Sequence, residues 1–228
     1  MRLSISHWYD FGGDRPLVGS ELAGEAAWDA LRLDSAGAFG LPATRAEWEA
    51  LADADRDVEA RARAVDALLD RRRVGTLASY GVGTAVPELW LARLAPERRL
   101  VVTELGTGTV ARLATLFPEA DVRRHDLRRD PPVAEADLHL FHRIDTELDD
   151  GGFRAVFARF RAVPVLVVAT ELLTVRAAVR ELRTRARGRA TRAGLVRSRA
   201  AFEALWRDTH DGVPVRVHDL HGWLLEPR

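Results

Sequence analysis

Between Val74 and Asp126 the chain changes character in an order that few folds accommodate. Val74-Gly75-Thr76-Leu77-Ala78-Ser79 reads as a short strand. Tyr80-Gly81-Val82-Gly83-Thr84-Ala85 follows as a glycine-rich turn, and Val86 to Ala95 reads as a helix with Pro87 in its first turn. Leu100-Val101-Val102-Thr103 is a second strand, ending on Glu104. Glycines in such a turn let a ligand approach the backbone, and an acid closing the second strand can grip both hydroxyls of a ribose. The segment therefore predicts an adenosine-containing cofactor.

The alternation continues downstream. Val110 to Phe117 is expected to be a helix, and Asp121 to Arg124 a short strand leading to Asp126. Ala136 to Phe141 is a strand and Phe153 to Arg161 a helix, while the apolar run Val163 to Thr170 suits a strand buried on both faces. Helices are expected over Leu172 to Arg187 and Ala200 to Arg207, then an antiparallel hairpin from Val213 to His218 and Gly222 to Leu225. The pattern implies an α/β fold: a doubly wound, mostly parallel seven-stranded sheet with a C-terminal antiparallel hairpin. Upstream, residues 1–20 read as irregular. Helical periodicity follows over Glu21 to Arg32, Thr44 to Asp53 and Asp57 to Arg72, with Thr44 and Glu47 at capping-box spacing. Residues 1–72 are expected to form an N-terminal helical cap or lid, and 73–228 a Rossmann-like domain.

Composition removes several chemistries. The 228 residues include no Cys, Lys, Asn or Gln, which excludes disulfides, thiolate metal sites, a cysteine nucleophile, a Schiff-base lysine and a P-loop lysine. Formal net charge is +0, so nothing draws the whole chain toward nucleic acid or an anionic membrane. With no apolar leader and no spanning run, a soluble cytoplasmic protein is expected. Total replacement of Lys by Arg points to codon bias in a GC-rich bacterium, so arginine enrichment by itself carries little functional weight.

With these residues in place, the chain from about Val74 to Arg228 resembles the class I S-adenosylmethionine-dependent methyltransferases. The resemblance implies that Gly81 and Gly83 form the loop around the methionine part of S-adenosylmethionine. It implies that Glu104, with Leu105 beside it, holds the ribose, and that Asp126, with Leu127, lies at the adenine. The position two residues before Gly81 is an acid in most of the family and contacts the cofactor's amino group; here it is Ser79. The third small position is Ala85 in place of glycine. Residues after the fourth strand border the transferred methyl, which makes His142 the candidate general base, with Asp145 and Glu147 able to orient it. His7, Trp8 and Tyr9 are candidates for an aromatic lid. The implied activity is methylation of a small molecule, in bacterial specialised biosynthesis, by a protein with no metal and no membrane partner that allows a homodimer.

Other readings stay open. Glu104-Leu105-Gly106-Thr107-Gly108-Thr109-Val110-Ala111 also gives Gly-X-Gly-X-X-Ala, which would make an NAD-type oxidoreductase with Asp126 near the ribose-binding distance. The arginines between Arg176 and Arg199 (Arg180, Arg183, Arg185, Arg187, Arg189, Arg192 and Arg197) offer a phosphate-tracking stripe for an RNA methyltransferase, or a solvated face. His210, His218 and His221 cluster without metal-ligand spacing. Non-catalytic binding of the cofactor is the remaining alternative.

Overall fold

A computed structural model describes residues 4–9, 17–18, 24–34, 39–146, 148–186 and 194–228; for 4–9, 17–18, 180, 181, 184, 185 and 194 it describes backbone alone. The chain runs β1 (Ser4–Tyr9), β2 (Leu17–Val18), α1 (Glu25–Asp34), α2 (Arg45–Ala54), α3 (Arg56–Arg71), β3 (Thr76–Tyr80), α4 (Val86–Leu94), β4 (Arg99–Glu104), α5 (Thr107–Leu116) and β5 (Asp121–Arg124). It continues through β6 (Leu138–His142), α6 (Asp150–Arg159), β7 (Val165–Val168), α7 (Val175–Ala186), β8 (Gly194–Arg197), α8 (Arg199–Glu203), β9 (His210–Val217) and β10 (Leu220–Pro227).

The main sheet has seven strands in the order β5-β4-β3-β6-β7-β10-β9. The first five are parallel, and β10 runs antiparallel to both β7 and β9. The expected doubly wound sheet and terminal hairpin are therefore present. Strand β3 sits where the order reverses, with β4 on one side and β6 on the other. In an open α/β sheet that reversal opens a crevice beyond the carboxyl ends of the strands.

Period-two alternation divides the core. Leu77, Leu100, Val102, Leu138, Leu140, Leu166 and Val168 face one layer, with α2 to α5. Ala78, Tyr80, Val101, Phe141, Val165 and Val167 face the other, where Phe153, Phe157, Phe202, Trp206 and Trp223 form an aromatic cluster. Helices α2 and α3 belong to the first layer. Thr44 caps α2 in the capping box that its spacing predicts. Trp48 is fully buried, packs edge-on against Phe117 and donates from Nε1 to Thr84 O at 2.7 Å. Arg98, before β4, reaches back to Asp66 and Asp70 of α3, both at 2.6 Å.

Two expectations need correction. Residues 1–20 are not wholly irregular: β1 pairs antiparallel with β2 and with β8, forming a separate three-stranded sheet. Ser4 pairs with Arg197, a partner nearly the whole chain away, so no local signal marks the strand. Helix α5 begins at Thr107, three residues before the expected Val110, with Gly106 as its N-cap. Among the described residues no helix is long and apolar enough to cross a membrane.

Because Trp48 joins α2 to the sheet's core, Trp48→Ala should cost about 3–5 kcal/mol and lower the midpoint of a single denaturant transition. Two separated transitions, with only one displaced, would show that α2 folds apart from the sheet.

Candidate cofactor site

The crevice at the strand reversal is a cavity of about 190 Å³. Tyr80 and Gly81 reach it from the end of β3, Thr103, Glu104 and Leu105 from β4, and His125 to Arg128 from β5. Arg143, Ile144 and Leu148 close it after β6, while Trp28 and Arg32 of α1 form the remaining wall.

The turn after β3 has the backbone that its glycines predict. Gly81 and Gly83 adopt φ of +63° and +61°, values that L side chains rarely take. A Cβ at Gly83 would stand 2.7 Å from Arg32 Nη2, and one at Gly81 would stand 3.0 Å from Ile144 Cγ2. Glu104 is buried, and both its oxygens accept backbone hydrogen bonds, Oε2 from Gly83 N at 2.7 Å and Oε1 from Leu105 N at 2.8 Å. A carboxylate fixed in this way keeps a lone pair free on each oxygen, enough to accept two neighbouring hydroxyls. Asp126 is also buried, and its Oδ1 accepts from the Arg128 backbone and side chain, both at 3.0 Å. Burial favours its neutral form, but the Arg128 hydrogen bonds outweigh this and hold its pKa below the usual range.

Ser79 lies outside the crevice wall, pointing into the layer beneath. Its hydroxyl donates to Glu88 Oε1 of α4 at 2.6 Å. Glu88 is 1% exposed, and its Oε2 has no hydrogen-bond partner. Burial pushes its pKa up to about 7.

Helix α1 is fastened by charge more than by burial; Leu31 is its one buried side chain. Asp29 accepts from Gly108 N and Thr109 N, both at 2.9 Å, and from Thr109 Oγ1 at 2.7 Å. Glu25 accepts from Thr107 N at 2.9 Å and from Arg124 Nη2 at 2.8 Å. The Arg124 and Thr107 hydrogen bonds lower the Glu25 pKa to about 2. These carboxylates satisfy the free N–H groups that open α5. This closes the dinucleotide register: the place where a pyrophosphate would meet the Gly106–Gly108 turn holds Asp29, whose Oδ1 lies 2.0 Å from a Cβ built on Gly106. Moreover β4, which precedes that turn, is not the strand at the reversal.

His142 does not line the crevice. It shares a strand face with Leu138 and Leu140, which point into the α2–α5 layer, whereas the chain beyond it turns Arg143 and Ile144 inward. Desolvation, then the nearby Arg143 and Arg61 guanidinium groups, lower its pKa to about 3. Asp145 does not orient it; its Oδ1 accepts from Thr170 N and Oγ1 at 2.8 and 2.7 Å. Glu147, Arg187, Arg189 and Arg192 lie outside the described residues, as do the side chains of His7, Trp8, Tyr9, Arg180 and Arg185. His210 is buried between Thr209 Oγ1 and Val163 O, and His221 lies beside Arg216. Among the described residues no three His, Asp or Glu side chains converge as metal ligands.

No family model matches the sequence, and no curated protein matches it. Solved structures do. Human N-acetylserotonin methyltransferase in complex with SAM superposes with a TM-score of 0.58 at 18% identity, covering 73% of this chain and 51% of that one. TnmH gives 0.62 at 16% identity, covering 80% and 57%. The mitomycin 7-O-methyltransferase MmcR gives 0.56 at 17% identity, covering 75% and 54%. The chain has the fold of the class I S-adenosylmethionine-dependent methyltransferases. It spans about half the length of these structures.

Within this methyltransferase fold the structure brings Gly81, Glu104, Leu105, Asp126 and Leu127 to one crevice, and Gly83 joins through its hydrogen bond to Glu104. Sequence reasoning missed Glu88, Trp28, Arg32 and Asp29. Glu88 carried a signal, as the lone acid in the apolar run Val86–Leu94. Asp29 carried none, since its partners lie about eighty residues away.

Two outcomes follow from these charges. Between its ordinary value of 4.5 and about 7, Glu88 binds a proton in the folded state that it loses when unfolded, so its contribution to stability falls as pH rises through that window. Glu88→Gln should match the parent near pH 4 and exceed it at pH 8 by about 3 kcal/mol, read from urea midpoints; parallel pH profiles would contradict this. Asp29→Ala should weaken the attachment of α1 by about 1 kcal/mol, the usual value of a helix cap. Amide exchange should then quicken in residues 25–34 and stay unchanged in β3 and β4.

Proposed function

We propose that this protein binds S-adenosylmethionine in the crevice beyond β3 and β4 and transfers its methyl group to a small molecule. The observation that carries the reading is Glu104, a buried carboxylate held by two backbone amides at the strand reversal of a class I methyltransferase fold. The neighbouring residues suit this group. The left-handed turn at Gly81 and Gly83 gives backbone access, Glu104 has acceptor capacity for two ribose hydroxyls, and Asp126 and Leu127 border the space for a base. The position of the family's usual acid holds Ser79, whose hydroxyl is taken up by Glu88 of α4 in the layer beneath, so the contact to the cofactor's amino group falls to the backbone of the glycine turn.

The bound cofactor would supply an electrophilic methyl for in-line displacement. The protein's own part is orientation and exclusion of water. Glu104 and the glycine turn, with Ile144 packed against Gly81, border the crevice beside Arg143, and α1 covers it with Trp28 and Arg32. Positioning of this kind can supply much of a transfer rate without a catalytic side chain. His142 is not assigned as base, because it does not line the crevice and its face of β6 points away. Of residues 1–72, α1 acts as the cover and α2 and α3 belong to the base, with Trp8 and Tyr9 proposed at the lid. A small-molecule acceptor is supported by solved structures of this fold named for N-acetylserotonin and mitomycin. We place the activity in the specialised metabolism of a bacterium, in its cytoplasm.

Calorimetry tests the assignment. S-adenosylhomocysteine should bind and NAD should not. Glu104→Ala should weaken binding by roughly tenfold to a hundredfold, the value of hydrogen bonds to a charged group, with Glu104→Gln intermediate. Unchanged affinity in a folded Glu104→Ala protein would remove the site. Binding with no turnover across a broad acceptor screen would leave a non-catalytic cofactor-binding protein.

A further inference from the structure

Helix α7 is built inside out. Val175, Val179 and Leu182 follow one another at helical spacing on a single face, and they are 84%, 41% and 67% exposed. They are three of the five exposed large apolar side chains among the described residues. Ala177, which is buried, lies two positions after Val175 and therefore about 200° around the helix. The helix thus rests on the protein through a small residue and turns its aliphatic stripe outward. Arg176 and Arg183, both exposed, lie along one edge of that stripe. Val175–Ala186 as a whole contains four arginines against one glutamate, a local excess hidden by the chain's neutral total.

We propose that the outer face of α7 docks this protein reversibly on an anionic lipid surface. An aliphatic stripe bordered by guanidinium groups, on a helix of low overall apolarity, suits the boundary between headgroups and acyl chains. The stripe enters the boundary while long arginine side chains remain at headgroup level. A second copy of the chain suits the face poorly. Three aliphatic side chains cover much less than the roughly 800 Å² per partner of a stable protein interface, and the paired faces would bring arginines together. Nucleic acid suits it poorly as well, because phosphates gain nothing from the stripe itself. This surface is separate from the cofactor crevice.

The test is co-sedimentation of the whole protein with vesicles of phosphatidylcholine alone and with vesicles carrying about one third phosphatidylglycerol. The protein should pellet with the anionic vesicles, much less with the neutral ones, and progressively less as salt is raised. Val175→Asp combined with Leu182→Asp should reduce binding by roughly tenfold or more with an unchanged melting temperature, since both side chains are exposed. Val175→Ser with Leu182→Ser serves where the aspartates disturb folding. Arg176→Glu with Arg183→Glu should also reduce binding. Failure to pellet with anionic vesicles would overturn the proposal, as would full binding by a folded stripe variant. Retention on RNA or on an acidic protein without vesicle binding would overturn it in favour of that partner.

Discussion

The hydrogen bond from Gly83 N to Glu104 Oε2, at 2.7 Å, ties together the two strand ends on which the crevice depends. Gly83 belongs to the turn after β3, and Glu104 ends β4. With Leu105 N on the other oxygen, the carboxylate is buried without being stranded, because a charged acceptor with two backbone donors repays part of its lost hydration. The bond also requires the left-handed turn, since the Gly83 amide reaches Glu104 with the backbone at φ +61° and Arg32 fills the space of a missing side chain. Turn, ribose-type acid and covering helix are one connected arrangement.

That arrangement lies between a rigid base and a lightly held cover. Below it, α2 to α4 are packed into the sheet through Trp48, Leu69, Leu89 and their neighbours. Above it, α1 buries one leucine and depends on Glu25 and Asp29 meeting the first amides of α5. Apolar burial fixes the floor for the life of the fold. A cover held by charged hydrogen bonds exchanges them with water at modest cost, which suits a helix that must admit a ligand.

Most of the scaffold was legible in the sequence, because its strands are apolar runs and its turns are marked by Gly and Pro. Glu104 closes β4 and Asp126 follows β5 by two residues, and both could be placed because strand ends converge in a parallel sheet. His142 shows where local reading stops. Its place after an apolar strand suggested the site, yet the alternation Leu138, Leu140, His142 already assigned it to the opposite face. The three-stranded sheet and the α1 attachment were beyond pattern reading, since Ser4 meets Arg197 and Asp29 meets Thr109 only once the chain has folded. Glu88 lies between these cases: an acid in an apolar helix is conspicuous, but its partner Ser79 had been read only as a missing carboxylate.

The central claim is the position of the nucleoside, and a crystal structure of the complex with S-adenosylhomocysteine tests it most directly. The account predicts ribose hydroxyls on the two Glu104 oxygens, the base beside Asp126 and Leu127, and α1 still fastened through Asp29 to the start of α5. A nucleoside seated instead on the Gly106–Gly108 turn, with Asp29 displaced, would contradict it.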